Sequence, residues 1–287
     1  VTRGIALLIA GAVAAAFAPL PVQLAFAILG IGVVGMAHGA GDLAVVAPAR
    51  RRMFLIVYAL VSVTTLLWWT MDPAVALPAF LVASAVHFGI EDGAGDQPIE
   101  RIACGVVLVA GPATFYAPAY AVLLRTAGGA SSTLPSYTPF VAMAGGAAGA
   151  VLLALAWQRR DRHLAGGVAA LLLMPPLIGF TLGFLILHAL PQTTERRDRL
   201  GYADTTSYLR AVAPVFGGAI LLAALVVALL LRFDPSGVRG LFAGIAALAV
   251  PHLLVTPWFE GNAIRRRPAA EARIGGYATA RGSGPRP

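Results

Sequence analysis

The sequence predicts an all-α protein: a polytopic helical membrane bundle of about eight to ten membrane segments, with a metal site between its helices. Three observations predict this class. Apolar residues make up 59% of the chain and charged residues 12%, and the mean hydropathy of +0.81 leaves too little polar surface to face water. The apolar runs are continuous instead of alternating, which selects helices over a membrane barrel. Four of the five histidines, His38, His87, His188 and His252, lie inside those runs. Ionisable groups at membrane depth are costly, rare and usually functional.

The apolar segments run at 4–18, 21–47, 52–71, 74–91, 101–124, 138–157, 164–190, 211–231 and 239–259. The longer ones reach about 20 residues, enough for a hydrocarbon core of roughly 30 Å. The first has only Arg3 before it and runs into a second hydrophobic segment, so no cleavable leader is expected. Turn chemistry separates the segments: Pro19-Leu20-Pro21, Arg50-Arg51-Arg52, Met71-Asp72-Pro73, Asp92-Gly93-Ala94-Gly95-Asp96 and Asp234-Pro235-Ser236-Gly237. As one helix, 164–190 would measure about 40 Å, too long without strong tilt. Pro175-Pro176 removes backbone donors in its middle and favours a break into two short pieces, one of them re-entrant. Residues 1–260 thus read as a single helical membrane domain. Residues 261–287, rich in Arg, Gly and Pro without apolar period, read as a disordered tail.

The formal charge is +8, and every basic residue is arginine. In a soluble protein that balance would point to nucleic acid. Here the arginines cluster in short loops, so positive-inside topology explains them and no nucleic-acid partner is expected. The absence of lysine excludes every chemistry that runs through a lysine Schiff base, including a covalently bound retinal. A single cysteine, Cys104, excludes internal disulfides and cysteine-rich metal clusters.

Each intramembrane histidine sits near the C-terminal end of its own segment. Four imidazoles on four segments is how one metal ion would be held in a helical bundle. If the four meet, their segments run in one direction, and an odd number of crossings must separate consecutive pairs. The count works for His38 to His87 and for His188 to His252. It works for His87 to His188 only with the break at Pro175-Pro176. The same split places Arg50–Arg52, Arg159–Arg162, Arg196–Arg199 and Arg265–Arg267 on one side, the expected cytoplasmic face of a multi-pass protein of the cell's inner (plasma) membrane.

The motifs around these histidines carry further chemistry. In Gly35-Met36-Ala37-His38-Gly39-Ala40-Gly41-Asp42, Asp42 follows His38 by four residues, one helical turn. A carboxylate there can accept the imidazole's second N–H and fix its tautomer. Ser84-Ala85-Val86-His87-Phe88-Gly89-Ile90-Glu91-Asp92 repeats the pattern with Glu91 and Asp92. His188-Ala189-Leu190-Pro191-Gln192 and Pro251-His252 complete the set. His163, in the charged run Gln158–His163, reads as a solvated loop residue. Phe88, Phe180, Phe184, Trp258 and Phe259 lie near the histidines in sequence and are candidates to line an apolar tunnel. Two other readings use the same residues: a haem b electron carrier with paired axial histidines, and a proton-relay transporter using Asp42, Glu91 and the imidazoles.

The first two motifs resemble the G-x-x-H-G-A-x-D and H-F-G-x-x-D boxes of the Brp/Blh family of membrane β-carotene 15,15′-dioxygenases. His188-Ala-Leu-Pro191 and Pro251-His252 are similar to that family's later histidine motifs, and the order holds over most of the membrane region. Met36-Ala37 and Gln192 depart from its pattern. The resemblance implies cleavage of the central double bond of β-carotene by O₂ at a non-haem Fe(2+), giving two molecules of all-trans-retinal. It implies His38, His87, His188 and His252 as iron ligands and Asp42, Glu91 and Asp92 as their supporting partners. It also implies β-carotene or a related carotenoid, O₂ and the lipid bilayer as partners, and a retinal product that passes to a retinal-binding rhodopsin.

Overall fold

The computed structural model describes residues 2–93, 97–129, 131–232 and 234–260; the expected tail at 261–287 lies outside them. Seven helices among these residues are long and apolar enough to cross a membrane. A further pair, bent by 97°, makes an eighth crossing when counted as one, and Ala6–Ala16 and Arg162–Leu173 are shorter apolar helices. The protein is a helical, multi-pass membrane bundle.

Helix α1 (Thr2–Ala16) leads through the Pro19 turn into α2 (Leu20–Ala27). The same span continues as a π-helical stretch, Ile28–Val34, then through short 3-10 turns into α3 (Asp42–Val45). Helix α4 (Arg51–Met71) descends from the arginine-rich end, and α5 (Pro73–Asp92) returns to it. Asp72 caps α5 by accepting the Val75 N–H, with Pro73 at the first helical position, where no amide donor is needed.

The segment expected as one helix at 101–124 is broken. Helices α6 (Pro98–Ala110) and α7 (Ala117–Gly128) meet at 97°, across a 3-10 turn at Gly111–Ala113. Pro112 in that turn has no amide hydrogen to continue the α-ladder, so the sequence carries the cause of the bend. Helix α8 (Thr138–Arg159) returns to the arginine end, where Arg159 grips Glu100 with two hydrogen bonds of 2.6 and 2.8 Å.

Helix α9 (Arg162–Leu173) enters the bundle for only 12 residues and stops before Pro175-Pro176, where the sequence places the break. Helix α10 (Pro176–Phe184), a π-helical turn at Leu185–Ala189 and α11 (Leu190–Arg199) form the outgoing span. Helix α12 (Thr205–Leu230) descends, and α13 (Val238–Leu254) ascends to the short α14 (Thr256–Phe259). The bent α6–α7 pair, α8 and the short inserted helix α9 therefore separate the histidine spans of α5 and α10–α11, and with α9 as the inward leg of the break at Pro175-Pro176 the parity condition is met. Glu260 forms an isolated antiparallel bridge with Val46 and lies 3.5 Å from Arg196, so the Arg50 and Arg196 loops share one end of the bundle.

Candidate metal centre

The four intramembrane histidines come together. Ring centroids lie 5.0 Å apart for His38–His188, 5.3 Å for His38–His252, 5.3 Å for His87–His188 and 5.4 Å for His87–His252, closing a four-membered circuit. Adjacent rings meet edge-on, at 69° to 87°. His163 is exposed at the N-terminal turn of α9, where its backbone N–H is capped by Asp161.

Backbone form places these rings. The π turn at Leu185–Ala189 contains His188, and another ends just before the His38 segment. A wide turn of this type shifts the helix face that follows it, and such turns concentrate at functional sites. Gly35 permits the close approach behind His38: a Cβ there would fall 2.6 Å from the Phe184 ring.

Three of the imidazoles are tied at Nδ1. His38 donates to the Gly35 carbonyl, His188 to the Asp92 carboxylate at 2.9 and 3.0 Å, and His252 to Asp42 at 2.6 Å. Carbonyl and carboxylate oxygens only accept, so these bonds put the proton on Nδ1 and leave the lone pair on Nε2. His87 Nε2 is buried without a hydrogen-bond partner. A buried polar atom left without a partner costs roughly 1–3 kcal/mol and calls for an explanation. The donor set, imidazole nitrogens in apolar surroundings, has the chemistry of a transition-metal site. Among the described residues, no group of three or more His, Cys, Asp or Glu side chains is assembled at coordination geometry.

The carboxylates support histidines other than the expected ones. Asp42 reaches across to His252 instead of to His38 one turn before it, because 3-10 turns at Gly35–Ala37 and Gly39–Gly41 replace the α-spacing and His38 bonds Gly35. Asp92 serves His188 on α11's side of the bundle, and Glu91 is exposed. Asp42 also accepts from Thr256 at 2.8 Å and from Arg196 at 3.4 Å, two partners the sequence reading did not single out. A signal for each was present: Thr256 follows His252 by four residues, and Arg196 follows His188 by eight, both helical intervals.

The cluster lines an apolar cavity of about 570 Å³, within the usual range for ligand pockets. Phe88, Phe180 and Phe184 line it, with Phe88 and Phe184 packed 4.9 and 5.3 Å from the His188 ring. Trp258 and Phe259 do not. The chain leaves α13 at Val255 and carries Trp258 to the surface, while Phe259 packs on Phe54 under Arg50. The hydroxyls of Tyr58 and Tyr120 on the cavity wall donate to the backbone carbonyls of Leu248 and Val109, each at 2.8 Å, which keeps the wall apolar. Among the lining residues Ile28, Leu55 and Leu231 are exposed, so the cavity reaches the outer surface of the bundle.

Fold and site define a multi-pass membrane protein with a four-histidine cluster beside an apolar cavity. A family model described as beta-carotene 15,15′-dioxygenase matches residues 29–260, and the chain belongs to that family. The matched stretch contains all four clustered histidines. No curated protein and no solved structure matches the chain.

Proposed function

We propose that this protein cleaves the central 15,15′ double bond of β-carotene with O₂, yielding two molecules of all-trans-retinal at a non-haem iron held by His38, His87, His188 and His252. The convergence of four imidazole rings at 5.0–5.4 Å inside an apolar cavity carries this reading. Closure of the four nitrogens to about 2.0–2.1 Å of an ion, the distance imidazole keeps on zinc, is part of the proposal. Bound Fe(2+) would supply the O₂ chemistry that no side chain offers.

The chain's own residues do the rest. Gly35, Asp92 and Asp42 hold the Nδ1 protons of three rings and so present their Nε2 lone pairs. Phe88, Phe180 and Phe184 form a wall against which a flat polyene can lie, placing its double bond beside the imidazoles. The apolar lining excludes water, and the reach to the perimeter lets a hydrocarbon substrate enter from lipid. In the overall reaction one carbon–carbon double bond breaks and each of its carbons receives one atom of O₂, so no further reductant is needed. A haem carrier fits less well, because rings that approach one another edge-on leave no planar slot for a porphyrin. We place the site on the cytoplasmic side of the inner membrane, from the arginines at that end.

The test is expression in a bacterial host that accumulates β-carotene. Loss of orange colour with retinal in the extract is the expected result. Unchanged β-carotene beside folded, iron-loaded protein would rule out this substrate.

A further inference from the structure

We propose that Arg196 is a positioning residue for His252, acting through Asp42; the inference rests on the reading of the four imidazoles as metal ligands. Asp42 spends one oxygen, Oδ2, on His252 Nδ1 at 2.6 Å and Thr256 Oγ1 at 2.8 Å. Its other oxygen, Oδ1, faces Arg196 Nη2 at 3.4 Å. The second guanidinium nitrogen, Nη1, lies 3.5 Å from Glu260 Oε1. Arg196 thus stands within ion-pair distance of two carboxylates from chain segments more than 200 residues apart in sequence, hydrogen-bonded to Asp42 and only electrostatically paired with Glu260.

The guanidinium sits in a fitted place. Its side chain is 13% exposed and that of Asp42 is 3% exposed. A Cβ at Gly41 would fall 2.5 Å from the Tyr208 hydroxyl oxygen and 2.9 Å from Arg196 Cγ, so glycine there leaves room for both side chains. Beside it, the Tyr208 hydroxyl donates to the Ala37 carbonyl at 2.9 Å and pins α12 over the same spot. A buried carboxylate without a counter-charge is strongly disfavoured. Arg196 supplies that charge and stops the carboxylate from turning, which fixes the rotation of the His252 ring. Lysine cannot reproduce this, because a single ammonium lacks the planar fork that reaches two carboxylates. The Asp92–His188 pair is built from different residues and serves as an internal comparison.

The experiment is titration of the purified, detergent-solubilised protein with Co²⁺, read by its visible absorption, for Arg196→Gln, Arg196→Lys, Asp42→Asn and the Asp42→Asn combinations. Arg196→Gln should weaken Co²⁺ binding by about 10- to 100-fold, the usual size of such an outer-partner effect. Arg196→Lys should recover part of the loss. In the Asp42→Asn background, either Arg196 change should add less than about twofold, because its route is already cut. Wild-type binding by Arg196→Gln, or a full additional loss in the Asp42→Asn background, overturns the inference. If Arg196→Gln does not fold, Arg196→Lys decides by the same cycle, and binding equal to wild type overturns it. His252→Ala and His188→Ala separate the two levels. If neither alters Co²⁺ binding, the metal reading itself fails; if both abolish it while Arg196→Gln does not, only the role of Arg196 falls.

Discussion

At the residue scale, the sequence marks four histidines by the cost of placing them and leaves their partners open. Which carboxylate serves which imidazole was hidden, because helical spacing pairs Asp42 with His38 and the 3-10 turns around His38 cancel that spacing. Thr256 and Arg196 stand at helical intervals from His252 and His188, but that spacing does not name Asp42, on a distant segment, as the partner they share. Two outcomes follow at this scale. His252→Ala should abolish both iron content and carotenoid cleavage, whereas His163→Ala should leave both near wild type; equal effects on metal analysis would contradict the ligand assignment. Asp92→Asn keeps shape but loses the charge that holds His188, and chelator competition should show about 10- to 100-fold weaker metal retention.

At the element scale, hydropathy located every long helix and proline chemistry located the break in the α9–α10 region. The bend between α6 and α7 was legible only in hindsight, as Gly111-Pro112 inside a run that is apolar throughout. The aromatic candidates divided along element boundaries. Those on α5 and α10 face the cavity, and those beyond α13 pass onto α14 and leave it. Helix α12 walls the cavity with small side chains, among them Ala219, Ala223 and Ala224. Ala223→Trp should therefore cut cleavage at least about tenfold while metal content stays level, since bulk is added to the pocket and not to the ligands. Parallel loss of metal would show instead that the bundle had been disturbed. Gly35→Ala drives a methyl group into the Phe184 ring and should destabilise the protein by about 1–3 kcal/mol, visible as a lowered thermal midpoint in detergent.

At the scale of the whole molecule, one parity argument linked charge, span count and site. The structure places Arg50, Arg159 and Arg196 at the same end through contacts with Trp258, Glu100 and Glu260. The opposite end is marked by Arg239, whose guanidinium reaches the Trp69 carbonyl at 3.4 Å. Single cysteines placed at Arg52, Arg160 and Arg197 in a Cys104→Ser background should all label from one face of sealed vesicles, and one at Ser236 from the other. Labelling of positions 160 and 197 from opposite faces would break the topology on which the convergent histidines depend.

The two π turns have a consequence for how such a site can change over time. A π turn holds one residue more than an α turn, so each amounts to an extra link in its helix, between α10 and α11 at 185–189 and between α2 and the 3-10 turns around His38 at 28–34. Losing that link from 28–34 or 185–189 would let the helix close into ordinary turns while the neighbouring loops kept their places. A one-residue deletion, usually confined to loops, is therefore expected to be absorbed at two positions inside membrane spans, one before His38 and one around His188. Through it a lineage can re-aim an imidazole without re-threading the bundle.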